Sequence, residues 1–153
     1  MACVGAIALA GMLIGSLVLT PYADHYGRRI MNMVFLTLMT FSMWLFLAAM
    51  VVFQSYWLLI IAAFIGGGVA IPLCAVMICY ATELSTHDMM NFCTGISFFC
   101  EALTSILIGL YFMYFKDCAV FYLIISIGLT IFLILYIIIA KESPHFAFKT
   151  RKY

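Results

Sequence analysis

The chain has 153 residues, 68% of them hydrophobic and only 8% charged, with a mean hydropathy of +1.24 and a net charge of +1. Soluble domains carry roughly 25% charged residues, so this composition excludes a water-soluble globule and describes a protein that lies almost wholly in a bilayer. No Lys- or Arg-rich run precedes the tail, which leaves nucleic-acid binding without residues to rest on.

Five segments meet the length of about 20 apolar residues that a ~30 Å hydrocarbon core demands. They fall at about 2–20, 30–53, 57–81, 91–115 and 118–140, ahead of a basic tail over 141–153. Such spans must be helices, because every backbone N–H and C=O has to be satisfied within the segment. The expected fold is therefore all-α: a polytopic bundle of five transmembrane helices over residues 1–140. Residues 2–19 lack a basic leader and a cleavage site, so the first span reads as a helix that stays.

The first helix carries Gly11-Met12-Leu13-Ile14-Gly15, a spacing that lets two backbones approach closely. In the third, Ala62, Gly66 and Ala70 share one line, with Gly67 and Gly68 beside it. Pro72 follows in the same helix and is expected to kink it, since it cannot donate to the preceding turn. Gly66, Gly67, Gly68 and Pro72 are thus either a packing device or the wall of a cavity, with packing the simpler reading.

Gln54-Ser55-Tyr56 and Lys116-Asp117 are tight hairpins among aromatic residues, as at one membrane interface. The opposite side carries the polar loops 21–29 and 82–90 and the tail. Of the seven cations, Arg28, Arg29, Lys141, Lys149, Arg151 and Lys152 fall on that loop side, against Lys116 on the hairpin side. By the positive-inside rule the loop side is cytoplasmic, or matrix in the mitochondrial inner membrane, and the N-terminus starts outside. Transporter domains normally start inside, so this parity predicts a further helix ahead of Met1.

Glu101 is the one acid deep within a span, about 15 Å beyond Asn91 at 1.5 Å per residue. Thr94, Ser97, Glu101, Thr104 and Ser105 recur at helical spacing and give the fourth helix a polar stripe. An intramembrane acid points to a proton or ion site, or to a contact with a neighbouring helix or partner subunit. The two readings stand side by side, for no second buried acid, His or Lys accompanies it. His25, His87 and His145 are scattered in loops and tail, and the six cysteines form no CxxC pair, so neither metal nor other cofactor is implied. Ser-His-Asp, P-loop and dinucleotide patterns are absent, which argues against an enzyme.

The stretch Thr20-Pro21-Tyr22-Ala23-Asp24-His25-Tyr26-Gly27-Arg28-Arg29 interrupts the apolar sequence. A turn glycine and two headgroup-level arginines are ordinary anchors, but they do not require Asp24. The pattern resembles the loop between the second and third helices of the major facilitator superfamily, G-x-L-x-D-R-x-G-R-R. Glu83 stands where a family glutamate closes the fourth helix, and Glu142-Ser143-Pro144-His145 resembles the E-S-P-R segment behind the sixth. The resemblance covers helices two to six of a twelve-helix fold, closest to the organic-ion and sugar branches. It implies a partial half-bundle, with Asp24, Gly27, Arg28 and Arg29 as a gate-like loop and Glu83 and Glu142 in its charge network. Thr20, Tyr22, His25, Met90 and His145 depart from the pattern, and three of the departures remove arginines. His does not reproduce a bidentate arginine bond.

Two functions follow from the resemblance. In the first, the chain is transporter-derived but non-transporting: an accessory or structural subunit of a larger membrane complex, such as an energy-transducing one, docked through its tail. In the second, it is part of a secondary transporter for a small organic ion or sugar, completed by a missing second half. Its partners are then the lipid bilayer and either other membrane subunits or that second half.

Overall fold

An apolar run that leaves water must satisfy its own backbone, and a continuous helix does so residue by residue. The computed structural model describes residues 2–84, 89–115 and 117–140, and of residues 2, 23–26 and 84 the backbone alone. Its five helices are α1 (Ala2–Tyr26), α2 (Arg28–Val51), α3 (Tyr56–Leu84), α4 (Met90–Tyr114) and α5 (Cys118–Ile139). All five are long and apolar enough to cross a membrane.

The expected spans after the first agree with α2–α5 to within three residues at either end. The first does not. α1 continues beyond residue 20, through Pro21, as far as Tyr26. Proline removes one helical hydrogen bond, the one that Leu17 would have accepted, but the following residues lose nothing by remaining helical. The chain reverses only at Gly27, whose φ of 94° and ψ of 135° suit glycine and little else. The Gly27 carbonyl then accepts from the Met31 N–H at 3.1 Å and opens α2. The polar loop read over 20–29 is thus a single-residue joint between two helices. α3 likewise runs unbroken through Pro72, whose ring is fully buried.

α3 is the hub. It packs most extensively on α1, then on α2, which in turn packs on α5. The α1–α3 seam is backbone against backbone. A Cβ on Gly15 would overlap the Gly68 backbone and one on Gly67 that of Ala8, while one on Gly11 would stand 2.5 Å from the Phe64 carbonyl oxygen. Gly66 turns instead to α2, where a Cβ would come 2.6 Å from Ser42 Oγ. That hydroxyl donates to the Ala62 carbonyl at 2.9 Å and ties α2 to α3. Phe35, Val69 and Val76 form the core beneath, with Leu19, Met31, Met39 and Leu73 around them.

α5 is held to α2 by a short relay. Trp44 Nε1 donates to Thr130 Oγ1 at 3.1 Å, and Thr130 donates to the Ser126 carbonyl at 2.7 Å. Phe46 and Tyr122 add a ring contact, with centroids 4.5 Å apart. α4 is the outlier, for none of its residues is buried. It touches α3 sparsely and meets α5 near the hairpin, where Tyr111 and Phe112 lie 5.0 and 5.1 Å from Phe121.

Gly15→Ala is expected to cost about 3 kcal/mol, because the helices must part to admit the methyl group. Gly5→Ala and Gly128→Ala, where a Cβ meets nothing within 4 Å, should be neutral or stabilising by up to ~1 kcal/mol through helix propensity. Thermal unfolding of the three variants in detergent checks the contrast, and an equal loss at all three sites contradicts the seam.

Candidate functional site

Three features carry the chemistry of this bundle: a polar cluster at its loop end, an apolar cavity, and the unburied face of α4.

At the loop end the N-terminus of α2 meets the C-terminus of α3. Arg28 Nη1 and Glu83 Oε1 lie 2.7 Å apart, both side chains about three-quarters buried. Each stands at the wrong pole of its own helix, a cation at an N-terminus and an acid at a C-terminus, which costs each about 0.3–1 kcal/mol. Pairing across the interface offsets both penalties and fastens α2 to α3.

One turn beyond Arg28, Asn32 is fully buried, and neither end of its amide has a hydrogen-bond partner among the described residues. Its neighbour on α5 is Tyr136, whose hydroxyl is also buried without a bond. Asn32 is close enough to act on that hydroxyl but falls short of bonding geometry. Arg29 exerts an electrostatic effect on Tyr136, and the Tyr80 ring packs edge-on against it with centroids 6.3 Å apart. Arg28, Arg29, Asn32, Tyr80, Glu83 and Tyr136 thus draw α2, α3 and α5 into one polar knot.

Of the gate-like residues, Gly27 is the joint, Arg28 pairs with Glu83, and Arg29 faces the Tyr136 cluster. Asp24 lies on the last turn of α1, but its side chain, like Glu142, His87, His145 and the whole tail, is outside the described residues. Sequence reasoning missed Asn32 and Tyr136. The available signal was an amide one turn behind two arginines in an otherwise apolar helix.

The cavity has a volume of about 420 Å³ and lies among α1, α2, α3 and α5. Ala8, Ala62, Gly66 and Gly67 form its floor, and Met12, Met39, Met43 and Met50 supply flexible walls. Ser42 and Tyr122 are the lining side chains with hydroxyl groups. Gly66 and Gly67 therefore both pack and line the cavity, so the two readings of the glycine-rich helix coexist. Gly68 and Pro72 belong to the packing side alone.

Glu101 projects from the middle of α4 and is exposed. It lies near Cys74 of α3, close enough for an electrostatic effect, and has no hydrogen-bond or ion-pair partner among the described residues. The rest of the stripe is self-sufficient. Thr94, Ser97, Thr104 and Ser105 donate to the carbonyls of Met90, Cys93, Cys100 and Glu101 at 2.8–3.1 Å. None of the six cysteines forms a disulfide among the described residues.

No family model, curated protein or solved structure matches the chain.

Two outcomes are expected from this geometry. Arg28→Leu removes the 2.7 Å ion pair from a largely buried Glu83, at a cost of about 1–3 kcal/mol. The reversed pair Arg28→Glu with Glu83→Arg should recover that loss, since each charge then also suits its helix pole. Failure of the double variant to recover in thermal unfolding removes the pair from the account. Tyr136→Phe deletes only an unbonded hydroxyl and should be neutral or stabilising by up to ~1 kcal/mol in the same assay. A loss larger than that shows a hydroxyl with a partner.

Proposed function

We propose that this chain is a transporter-derived integral membrane protein that serves as a non-transporting, structural subunit of a larger membrane assembly. The observation that carries the reading is an unequal bundle. α1, α2, α3 and α5 are knit by glycine contacts, a hydrogen-bonded relay and an ion pair, while α4 buries nothing and leaves an acid exposed at mid-length. A spanning helix of that kind is what a neighbouring subunit would cover.

Two further points support a static role. The Arg28–Glu83 pair joins helices within the same bundle rather than reaching outward. At Gly11, Gly15, Gly67 and Gly68 the α1–α3 seam is backbone against backbone, which leaves little room for the helices to move past each other. The proposed ancestry in the major facilitator superfamily rests on the spacing of Asp24, Gly27, Arg28, Arg29, Glu83 and Glu142. The positive-inside rule supports a membrane orientation with the loop end in the cytoplasm or a mitochondrial matrix. Energy-transducing complexes are one class of assembly that would hold such a subunit.

The cavity favours a second reading, in which the chain is one part of a transporter for a small organic ion or sugar. Its lining of methionine, alanine and glycine offers an apolar molecule more than it offers a sugar or an ion.

Native electrophoresis of mild-detergent extracts tests the proposal. The chain, 17.2 kDa in mass, should migrate with unrelated membrane subunits in a particle many times larger. Migration as a free monomer overturns the subunit reading. Migration with a single second helical half, and substrate uptake abolished by Ala62→Leu, establishes the transporter instead.

A further inference from the structure

We propose that the face of α4 between Glu101 and the line Gly95, Ala102 and Gly109 docks one membrane-spanning helix of a partner subunit, and that this helix presents a lysine or arginine at the depth of Glu101. The inference rests on the subunit reading above and adds the surface and the chemistry of the partner.

Depth is the first step. Glu101 lies eleven positions into the helix Met90–Tyr114, about 16 Å from its start and about 20 Å from its end at 1.5 Å per residue. A carboxylate left there against hydrocarbon costs about 3 kcal/mol on insertion scales. The second step is local supply. The four hydroxyls of the same stripe are spent on carbonyls of their own helix, and the described cations, Arg28 and Arg29, stand at the loop end, where Arg28 is held by Glu83. Nothing described within the bundle neutralises Glu101, and a basic side chain on a partner helix would.

Shape is the third step. Gly95, Ala102 and Gly109 recur every seven residues on the flank of Glu101, and a Cβ on either glycine would meet nothing within 4 Å. These small residues leave a shallow channel in which a second helix approaches closely, and a long basic side chain lies along it to reach the acid. A second copy of this chain is a poor occupant. A two-fold interface centred on this face sets one Glu101 against the other, and like charges at that range do not both ionise.

The test uses the full-length chain in the membranes that naturally contain it, with a photo-crosslinking residue at Ala102 and, as a control, at Ile124 on exposed α5. The Ala102 probe should join a single membrane-spanning peptide that contains Lys or Arg, identified by mass spectrometry. Glu101→Gln should lower that yield about tenfold or more, the loss expected when a desolvated ion pair is broken, while Glu101→Asp stays within about threefold. The carboxyl group has no bonded partner among the described residues, so the thermal unfolding of isolated Glu101→Gln should match that of the unsubstituted protein, and misfolding is then excluded as the cause. Crosslinks to lipid alone, to a second copy, or to a segment without a basic residue overturn the proposal, as does an undiminished yield in Glu101→Gln. If the Ala102 probe is silent while the chain still migrates in a large particle, this docking face is wrong and the subunit reading survives. If the chain migrates alone, both fall.

Discussion

The arrangement of the bundle depends on a contact of backbone against backbone. Between α1 and α3, carbonyl oxygens of one helix abut glycines of the other: Ala8 against Gly67, Phe64 against Gly11, Gly68 against Gly15. Among lipid tails, helices gain nothing by hiding apolar side chains from one another, so close van der Waals contact and weak Cα–H···O bonds decide who neighbours whom. Pro72 belongs to this device. The carbonyl it cannot bond is that of Gly68, four residues earlier, and this is the oxygen that lies on Gly15. The proline therefore frees an acceptor at the place where the neighbouring helix supplies weak donors.

Once α1 and α3 are joined, the remaining helices have little freedom. Gly66, one residue away from the seam, turns about 100° around the helix and meets Ser42 of α2. That fixes the azimuth of α2 and brings Arg28 beside Glu83 at the loop end. The same small residues that draw the backbones together leave a shortage of volume towards the hairpin end, where methionines line a cavity instead of filling it. Tight seam and open cavity have one cause.

Much of this was legible in the chain before any coordinates. Spans can be read because length and apolarity are additive along a sequence, and the glycines because Gly11–Gly15 and Gly66–Gly68 read most simply as packing devices, with a cavity wall as the alternative for Gly66–Gly68. The joint at 20–29 was misjudged because proline and polar residues were weighed as loop formers, when a helix can continue through a proline at the cost of one bond and some crowding of the preceding turn. Only the backbone angles of Gly27 identify the real break. Which glycine faces which helix, and that Asn32 and Tyr136 are buried together from helices 104 positions apart in sequence, depend on helix azimuth. Periodicity within one helix does not carry that information when every face is apolar. The polar stripe of α4 was legible as a stripe, but its hydroxyls and its acid looked alike. Hydrogen bonding separates them, since the hydroxyls close on their own helix and the carboxyl group does not.

That separation bears on how the bundle would mature. A helix whose serines and threonines bond their own carbonyls crosses lipid without help, so α4 needs no partner along most of its length. It is tethered to the bundle near the hairpin through Tyr111, Phe112 and Phe121, with the Tyr111 hydroxyl on the Asp117 carbonyl at 3.2 Å. The remaining demand is concentrated at one atom group at one depth. Concentration of that kind discriminates between partners better than a uniformly sticky face does, because an incoming helix with its cation displaced by one turn, about 5 Å, leaves two unpaired groups instead of none. In the proposed assembly, Glu101 therefore sets register and identity, and the small residues beside it set distance. The two functions are divided between side chains that can be altered independently.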